Sequence, residues 1–443
     1  MRSAKQHDLQ TETELTRREA LMAGAAATPL LAAAIQQASA ADTADKPVGP
    51  ILGHVDHETA IIWYRPTSPG EYTVTITDTK TSKTRTAKAN ASADHDLCIT
   101  WQFDALEADT EYTYAITHQD RVVADADIQR IRTAPPTDQP ARTVLGMGSC
   151  ASSTKFFDVW TQIASNNIDA LMLLGDTPYI DNRQLSVNRM RHREFLSIPT
   201  LMEMGASTPL WGTWDDHDFG GNDTDGKISN KEVIRQAFTE YRAQTQYGDG
   251  QHGVYTKFRR GPVEVFMIDP RYFSQTEPSP VDADKPTCLG MTQWKWLCDG
   301  LKESTAPFKL LATGMIWDDK KNREKDDWNT YSHEREAIFD FIGEHKIGGV
   351  VLIGGDIHVS RHLMYPMKDR IGYDLHQFII SPLHDRVIPS LNVPHPHLQW
   401  GEPLKNMFLT VTADTTGERP TLDANWIDRT GKQHRHVRIE CDA

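Results

Sequence analysis

The sequence predicts an α/β protein preceded by a small all-β domain. Two observations carry this. Residues 46–134 alternate apolar and polar positions between turn residues, whereas from 141 onward buried apolar runs alternate with amphipathic helical segments. A third fixes the boundary: APPTDQPAR, 134–142, is proline-rich and reads as a linker.

Within the first segment AIIWYRP, EYTVTITD, CITWQFDAL and TEYTYAIT are the strands. LEADTEYTYAI resembles the tyrosine-containing turn of fibronectin type III sandwiches. No titratable cluster accompanies it, so this domain is expected to be a support or a lid.

In the second segment, 141–443, four helices are expected. FFDVWTQIA sets Phe156, Phe157, Trp160 and Ile163 on one face, and NKEVIRQAFTEYRAQ does so with Val233, Ala237, Phe238 and Tyr241. TQWKWLCDGL is the third, and SHEREAIFDFIGEH the fourth, with Ser332 as its N-cap. The tail, MFLTVTAD, TLDANWIDR and HRHVRIE, returns to hairpin-like strands that can close a sheet edge.

The chain of 443 residues, 39% hydrophobic and 24% charged, has the composition of a soluble globular protein of about two domains. Its net charge of −14 argues against nucleic-acid or anionic-membrane partners. Residues 1–40 read as a targeting segment: Arg17 and Arg18 precede a small-residue apolar stretch that ends in Ala38-Ser39-Ala40. The arginine pair points to twin-arginine export and a periplasmic or secreted protein, although Ala20 stands where a bulky residue is usual. The apolar stretch, broken by Pro29, is too short to anchor in a membrane. Five cysteines is an odd number for an exported chain, and Cys288 and Cys298, ten residues apart, are positioned in sequence to pair.

Six apolar runs of the second segment end in polar residues of one kind. TVLGM leads to Cys150, IDALMLL to Asp176 and Tyr179, and PLWGTW to Asp215, Asp216, His217 and Asp218. VEVFMI leads to Asp269 and Arg271, KLLATGMIW to Asp318 and Asp319, and GGVVLIGG to Asp356, His358 and Arg361. Parallel strands would bring their carboxyl ends to one edge, where α/β folds place ligands. Carboxylates gathered there repel one another unless a cation sits among them, and Asp, His, thiolate and phenolate are metal donors. If the strand continues through Asp356-x-His358, both side chains lie on one face. Asp318 and Asp319 are left out, as the start of a charged, solvated loop, DDKKNREKDD. Asp216 or Asp215 is the expected ligand from the WDDHD stretch, with His217 turned to the substrate.

These stretches together resemble the motif set of the alkaline phosphatase D (PhoD-like) family of calcineurin-like metallophosphatases. PILGHVDHETAIIWYR, GSC, GDTPY, WDDHDFGGND, LGMTQWKWL and GGDIHVSRH carry the resemblance, which spans nearly the whole mature chain; IDPRYF departs from the family's Leu-Asp-Thr-Arg. The resemblance implies an αββα metallophosphatase sandwich behind a fibronectin type III-like domain. It implies a multinuclear site of iron with calcium, zinc or manganese being alternatives, held by Cys150, Asp176, Tyr179, Asp216, Asp356 and His358. A metal-activated hydroxide is then expected to attack a phosphate ester, with His217 as general acid and Arg271 or Arg361 balancing charge. The substrate the resemblance implies is a small-molecule or lipid phosphoester. Hydrolysis of diesters is the alternative, and a non-catalytic, metal-stabilised binding protein is the alternative from another class.

Overall fold

The computed structural model describes residues 46–124, 129–153, 158–321 and 324–441. The targeting segment 1–40, Phe156 and Phe157 lie outside the described residues. Pro47–Ala443 forms one unit.

Its first part is two antiparallel sheets. Val48–Val55, Ala60–Arg65 and Ile99–Phe103 make one; Gly70–Asp78, Thr84–Ala91, Glu111–His118, Arg121–Ala124 and Arg130–Arg132 make the other. Along Gly70–Asp78 the alternate residues Tyr72, Val74 and Ile76 are all buried, the period that a strand with one wet face requires. These side chains close on Ile62, Tyr64, Trp101 and Tyr114 from the neighbouring strands.

The second part is built on two larger sheets. The first has six strands in the order Leu210–Thr213, Ala170–Leu174, Arg142–Gly148, Met407–Asp414, Thr421–Asp428 and Gln433–Glu440. Its first three strands are parallel, and the tail adds to it in antiparallel fashion. The second has seven strands, in the order Thr256–Arg260, Val263–Met267, Phe308–Ala312, Val350–Gly354, Leu375–Ile379, Ser360–Tyr365 and Leu398–Glu402. Four of these, from Val263–Met267 to Leu375–Ile379, are parallel neighbours.

The inner faces meet through Leu145, Met147 and Met172 on one side and Val265, Leu310 and Ile353 on the other. Burial of those apolar faces is what holds the layers together. Helices Asp158–Ala164 and Pro199–Gly205 cover the outside of the first sheet, with Trp160, Ile163 and Leu201 buried against Leu171 and Leu173. Helices Gly290–Glu303 and Ser332–Glu344 cover the second through Leu297, Leu301, Ile338 and Ile342. Because both sheets take their side chains inward and outward in alternation, each needs a helical layer as well as the other sheet.

Three local expectations are corrected. Ser332 is the first helical residue, with Tyr331 in the capping position and no side-chain cap bond. On helix Lys231–Glu240 the buried positions are Ile234, Ala237 and Phe238, with Val233 one step off the apolar stripe. All five cysteines are free: Cys288 is buried just before helix Gly290–Glu303 and Cys298 lies within it. Among the described residues no helix is long and apolar enough to cross a membrane.

The N-terminal strands are fastened to the second part by backbone-directed bonds. Tyr114 Oη donates to Ala206 O at 2.7 Å, Trp63 Nε1 to Glu240 O at 2.8 Å, and Arg260 Nη1 to Val55 O at 2.6 Å. Gly53 allows the closest approach: a Cβ there would lie 2.0 Å from Ala243 O.

Candidate metal centre

The carboxyl ends of the parallel strands meet at one cleft, as α/β connectivity dictates. Asp176, Asp216, His217, Asp223, Lys320, Asp356, His358 and Arg386 line it, in a space of ≈ 100 Å³. Each strand stops short of its donor. Gly148, Leu174 and Gly354 are the last strand residues, and the chain then turns sharply. Cys150, Asp176, Asp356 and His358 all have left-handed backbone, with φ of 55°, 53°, 66° and 52°. Such conformations are uncommon for residues with a Cβ and are held here by the surrounding structure. The strand does not run on through Asp356 and His358, so the common-face expectation for that pair is corrected; two left-handed turns bring them to the same cleft.

Close packing of backbone makes these turns possible. Gly175, at φ +84°, has no room for a side chain, since a Cβ would meet Asp215 Cβ at 2.5 Å. A Cβ on Gly355 would lie 2.6 Å from Ser149 Oγ.

Among the described residues, three groups of donors have their ligand atoms within 4.8 Å of one another: Cys150 with Asp176 and His358, Asp176 with Asp216 and His217, and Asp216 with Asp223 and Asp326. Asp176 and Asp216 each belong to two groups. Cys150 Sγ lies 3.5 Å from Asp176 Oδ2 and accepts from Ser381 Oγ at 3.1 Å. Tyr179 Oη is 2.7 Å from His358 Nε2, and His358 Nδ1 is 3.0 Å from the carbonyl of Arg386, so Nδ1 carries the proton and Nε2 presents its lone pair. His384 stacks on Tyr179 with ring centroids 5.4 Å apart.

The WDDHD stretch separates into distinct roles. Asp216 faces the cleft, its oxygens accepting from the backbone of His217 and Asp223 at 2.8 Å each. Asp215 turns the other way, accepting from Arg271 Nε at 2.7 Å. Asp218 is a cap, accepting from Asp215 N at 2.6 Å and Thr177 N at 3.3 Å. His217 Nδ1 meets Asp181 Oδ1 at 2.6 Å.

Electrostatics favour a cation among these donors. Burial, and then the charges of Asp216, Asp215, Asp218 and Asp356, drive the Asp176 carboxyl well above its ordinary range. Burial, then Asp176, does the same to the Cys150 thiol. Burial, then Cys150 and Asp176, does so to the Tyr179 phenol. Burial likewise pushes His358 down to about 4, keeping it neutral. A cation reverses the first three, because it stabilises the anionic form of each donor. The donor set therefore fits a metal.

Not every expected residue is in the cleft. Arg361 is buried but donates to Val393 O at 2.7 Å, and its ionisable neighbours are Asp318 and Tyr365. Arg271, 1% exposed, is committed to Asp215 and Asp326. Conversely, the loop after Trp317 is not simply solvated. Lys320, Asp326 and Asp327 are buried, and Lys320 Nζ lies 2.7 Å from Asp326 Oδ1 and 2.6 Å from Asp356 Oδ2. Asp318, left out of the site, pairs with Tyr365 Oη at 2.7 Å and His395 Nε2 at 3.0 Å. The strand Leu375–Ile379 also ends at the cleft, contributing Ser381 and His384 beside Cys150 and Tyr179. The run HQFII before SPLHD is the signal by which it could have been found.

Together the two sheets, the helical layers and the strand-end cleft define a metallophosphatase-like α/β fold. Solved structures that share it include one described as the structure of PhoD, with TM-score 0.72 and 17% identity over 87% of this chain and 91% of that one, and the purple acid phosphatase PPD1 of yellow lupin (Lupinus luteus), with TM-score 0.64 and 11% identity over 90% and 75%. Residues 145–395 match the PhoD-like phosphatase family and residues 44–136 match a domain of unknown function, DUF7800. The chain belongs to the PhoD-like phosphatase family. It is 25% identical over 279 residues to alkaline phosphatase D of Bacillus subtilis (strain 168), an alignment that takes in 51% of this chain and 47% of that protein, about half the relative's length.

Proposed function

We propose that this protein is a metal-dependent phosphoester hydrolase, and that residues 1–40 export it to the periplasm or beyond. The observation that carries the reading is the run of donor groups joined through Asp176 and Asp216 at the strand ends. Cys150, Asp176, Tyr179 and His358 would hold an ion at one end. The thiol and phenol among them suit iron, whereas the carboxylates around Asp216 suit a hard ion such as calcium. Bound there, such ions would offset the charge of phosphate oxygens and lower the pKa of water toward neutrality.

The chain's own residues then have separate tasks. Asp181 orients His217 through Nδ1, which leaves Nε2 for the leaving-group oxygen. Burial alone would lower the His217 pKa, but the bond to Asp181 and the charges of Asp216 and Asp218 outweigh it and raise the value, the direction a general acid needs. Arg271 neutralises Asp215, so that only Asp216 of that pair turns to the cleft. Arg386, Ile388 and Leu391 form the rim that a substrate's organic group would meet. The N-terminal sheets serve as a fibronectin type III-like support, supplying none of the lining residues among those described.

The test is elemental analysis of natively exported protein, with hydrolysis of an aryl phosphate monoester and the matching diester. Bound metal, with turnover of either ester, is expected, and Asp216→Ala should lose both. Full metal content and activity in that variant would overturn the reading. The ratio of the two turnovers assigns monoester or diester preference.

A further inference from the structure

Lys320 is the least expected residue of the cleft. Its sequence surroundings, DDKKNREKDD, are those of a surface loop, yet its side chain is only 2% exposed. The loop is drawn in at both ends. Trp317 and Trp328, both fully buried, stack with centroids 4.3 Å apart and planes 12° from parallel. Trp328 N donates to Ile316 O at 3.2 Å, and Lys320 N to Asp327 Oδ2 at 3.0 Å. The backbone at Lys320 is therefore held in place, and its ammonium is delivered between Asp326 Oδ1, at 2.7 Å, and Asp356 Oδ2, at 2.6 Å.

That position continues a buried chain of alternating charge. Asp215 pairs with Arg271, Arg271 with Asp326, Asp326 with Lys320, and Lys320 with Asp356. A carboxylate pair bridged by a compact point charge is the arrangement in which hard divalent ions are bound, at comparable oxygen distances. Asp326 and Asp356 come from loops 30 residues apart in sequence and would repel if nothing stood between them.

We propose that Lys320 is a resident cation, its ammonium standing between Asp326 and Asp356 where a divalent ion would otherwise bind, so that the cleft takes up one ion fewer than its carboxylates allow. The remaining capacity then rests with the two groups that share Asp176, since the third draws on Asp326, whose oxygens Lys320 and Arg271 already hold. The inference rests on the metal-dependent reading above and deepens it by setting the number of ions.

The experiment removes the charge and keeps the stem. Parent protein and Lys320→Met, both stripped with chelator, are titrated with calcium and with manganese by calorimetry, and their equivalents are checked by elemental analysis. The variant is expected to take up one additional equivalent, or to bind its last equivalent at least about tenfold more tightly. Unchanged equivalents and affinities in a variant with the parent's melting curve overturn the proposal. Lys320→Gln, which keeps a donor toward Asp326, is read in the same way should the methionine variant not fold. A third readout uses the parent protein: Lys320 should resist amine acylation equally with and without calcium, and reactivity gained on calcium loading overturns the proposal. A parent protein without metal uptake or ester hydrolysis would count against the proposed function, whereas the parent-to-variant difference still decides the role of Lys320.

Discussion

Arg271 and Asp215 form an ion pair that is withdrawn from solvent altogether: Nε meets Oδ1 at 2.7 Å, and each side chain is 1% exposed. Neither group has water to fall back on, so breaking the pair costs far more than forming it contributes. Arg271→Met is expected to lower stability by about 3–5 kcal/mol, read from urea midpoints. Asp215→Asn in the same chain should restore part of the loss. Independent, additive losses in the two single variants would show that the pair is not the source.

His217 is expected to act on the leaving group rather than to hold an ion. His217→Ala should retain bound metal while kcat falls by about 10²–10⁴-fold for an ester with a poor leaving group. With an aryl ester whose leaving group needs no proton, the loss should be much smaller. Equal losses with both esters, or loss of metal, would count against the acid role.

Acid lability should have a contribution from histidines that do not line the cleft. His362 and His376 stack 5.3 Å apart, with His362 Nε2 and His376 Nδ1 at 3.0 Å. Burial, with His376 adding to it, pushes His362 down to about 3, and burial pushes His376 down to about 4. Both folded values lie below the unfolded value of about 6.5. The unfolded chain thus takes up protons first, so this stability is complete above about pH 6.5 and is lost as pH falls toward the folded values. By pH 5 the loss amounts to about 2 kcal/mol per ring. Urea midpoints of His376→Gln, set against the parent between pH 7 and pH 5, should fall less steeply. Parallel slopes would rule the pair out.

Tyr114 provides a test of the N-terminal sheets as support. Its hydroxyl is buried and donates to Ala206 O at 2.7 Å. Tyr114→Phe leaves that carbonyl short of a partner and is expected to cost about 1–2 kcal/mol, with kcat and KM unchanged. A changed KM would mean that these sheets take part in the site.

Much of the cleft was legible because a buried strand announces itself: an apolar run, then an abrupt polar residue. Cys150, Asp176, Tyr179, Asp216 and His358 follow that grammar, and the structure brings them within reach of one another. Arg361 also follows it, yet it points to Val393, because adjacent positions on an antiparallel strand face opposite ways. Lys320 and Asp326 were hidden for the opposite reason. Charge density suggested water, whereas the stacking of Trp317 on Trp328, with the bonds of Trp328 N to Ile316 O and of Lys320 to Asp327, Asp326 and Asp356, turns that loop inward. Local pattern records which residues leave a strand; it does not record which loops are pulled back.

The sharing of Asp176 and Asp216 between neighbouring donor groups has a thermodynamic consequence. Groups that own their carboxylates separately would fill independently, each with its own dissociation constant. With ions bound as proposed, the occupancy of one group would alter the charge available to the next, so their affinities would be linked, and by reciprocity each would change the other by the same factor. Loading is therefore a property of the whole row, and titration curves from single-carboxylate variants belong to the row and not to one vacant position.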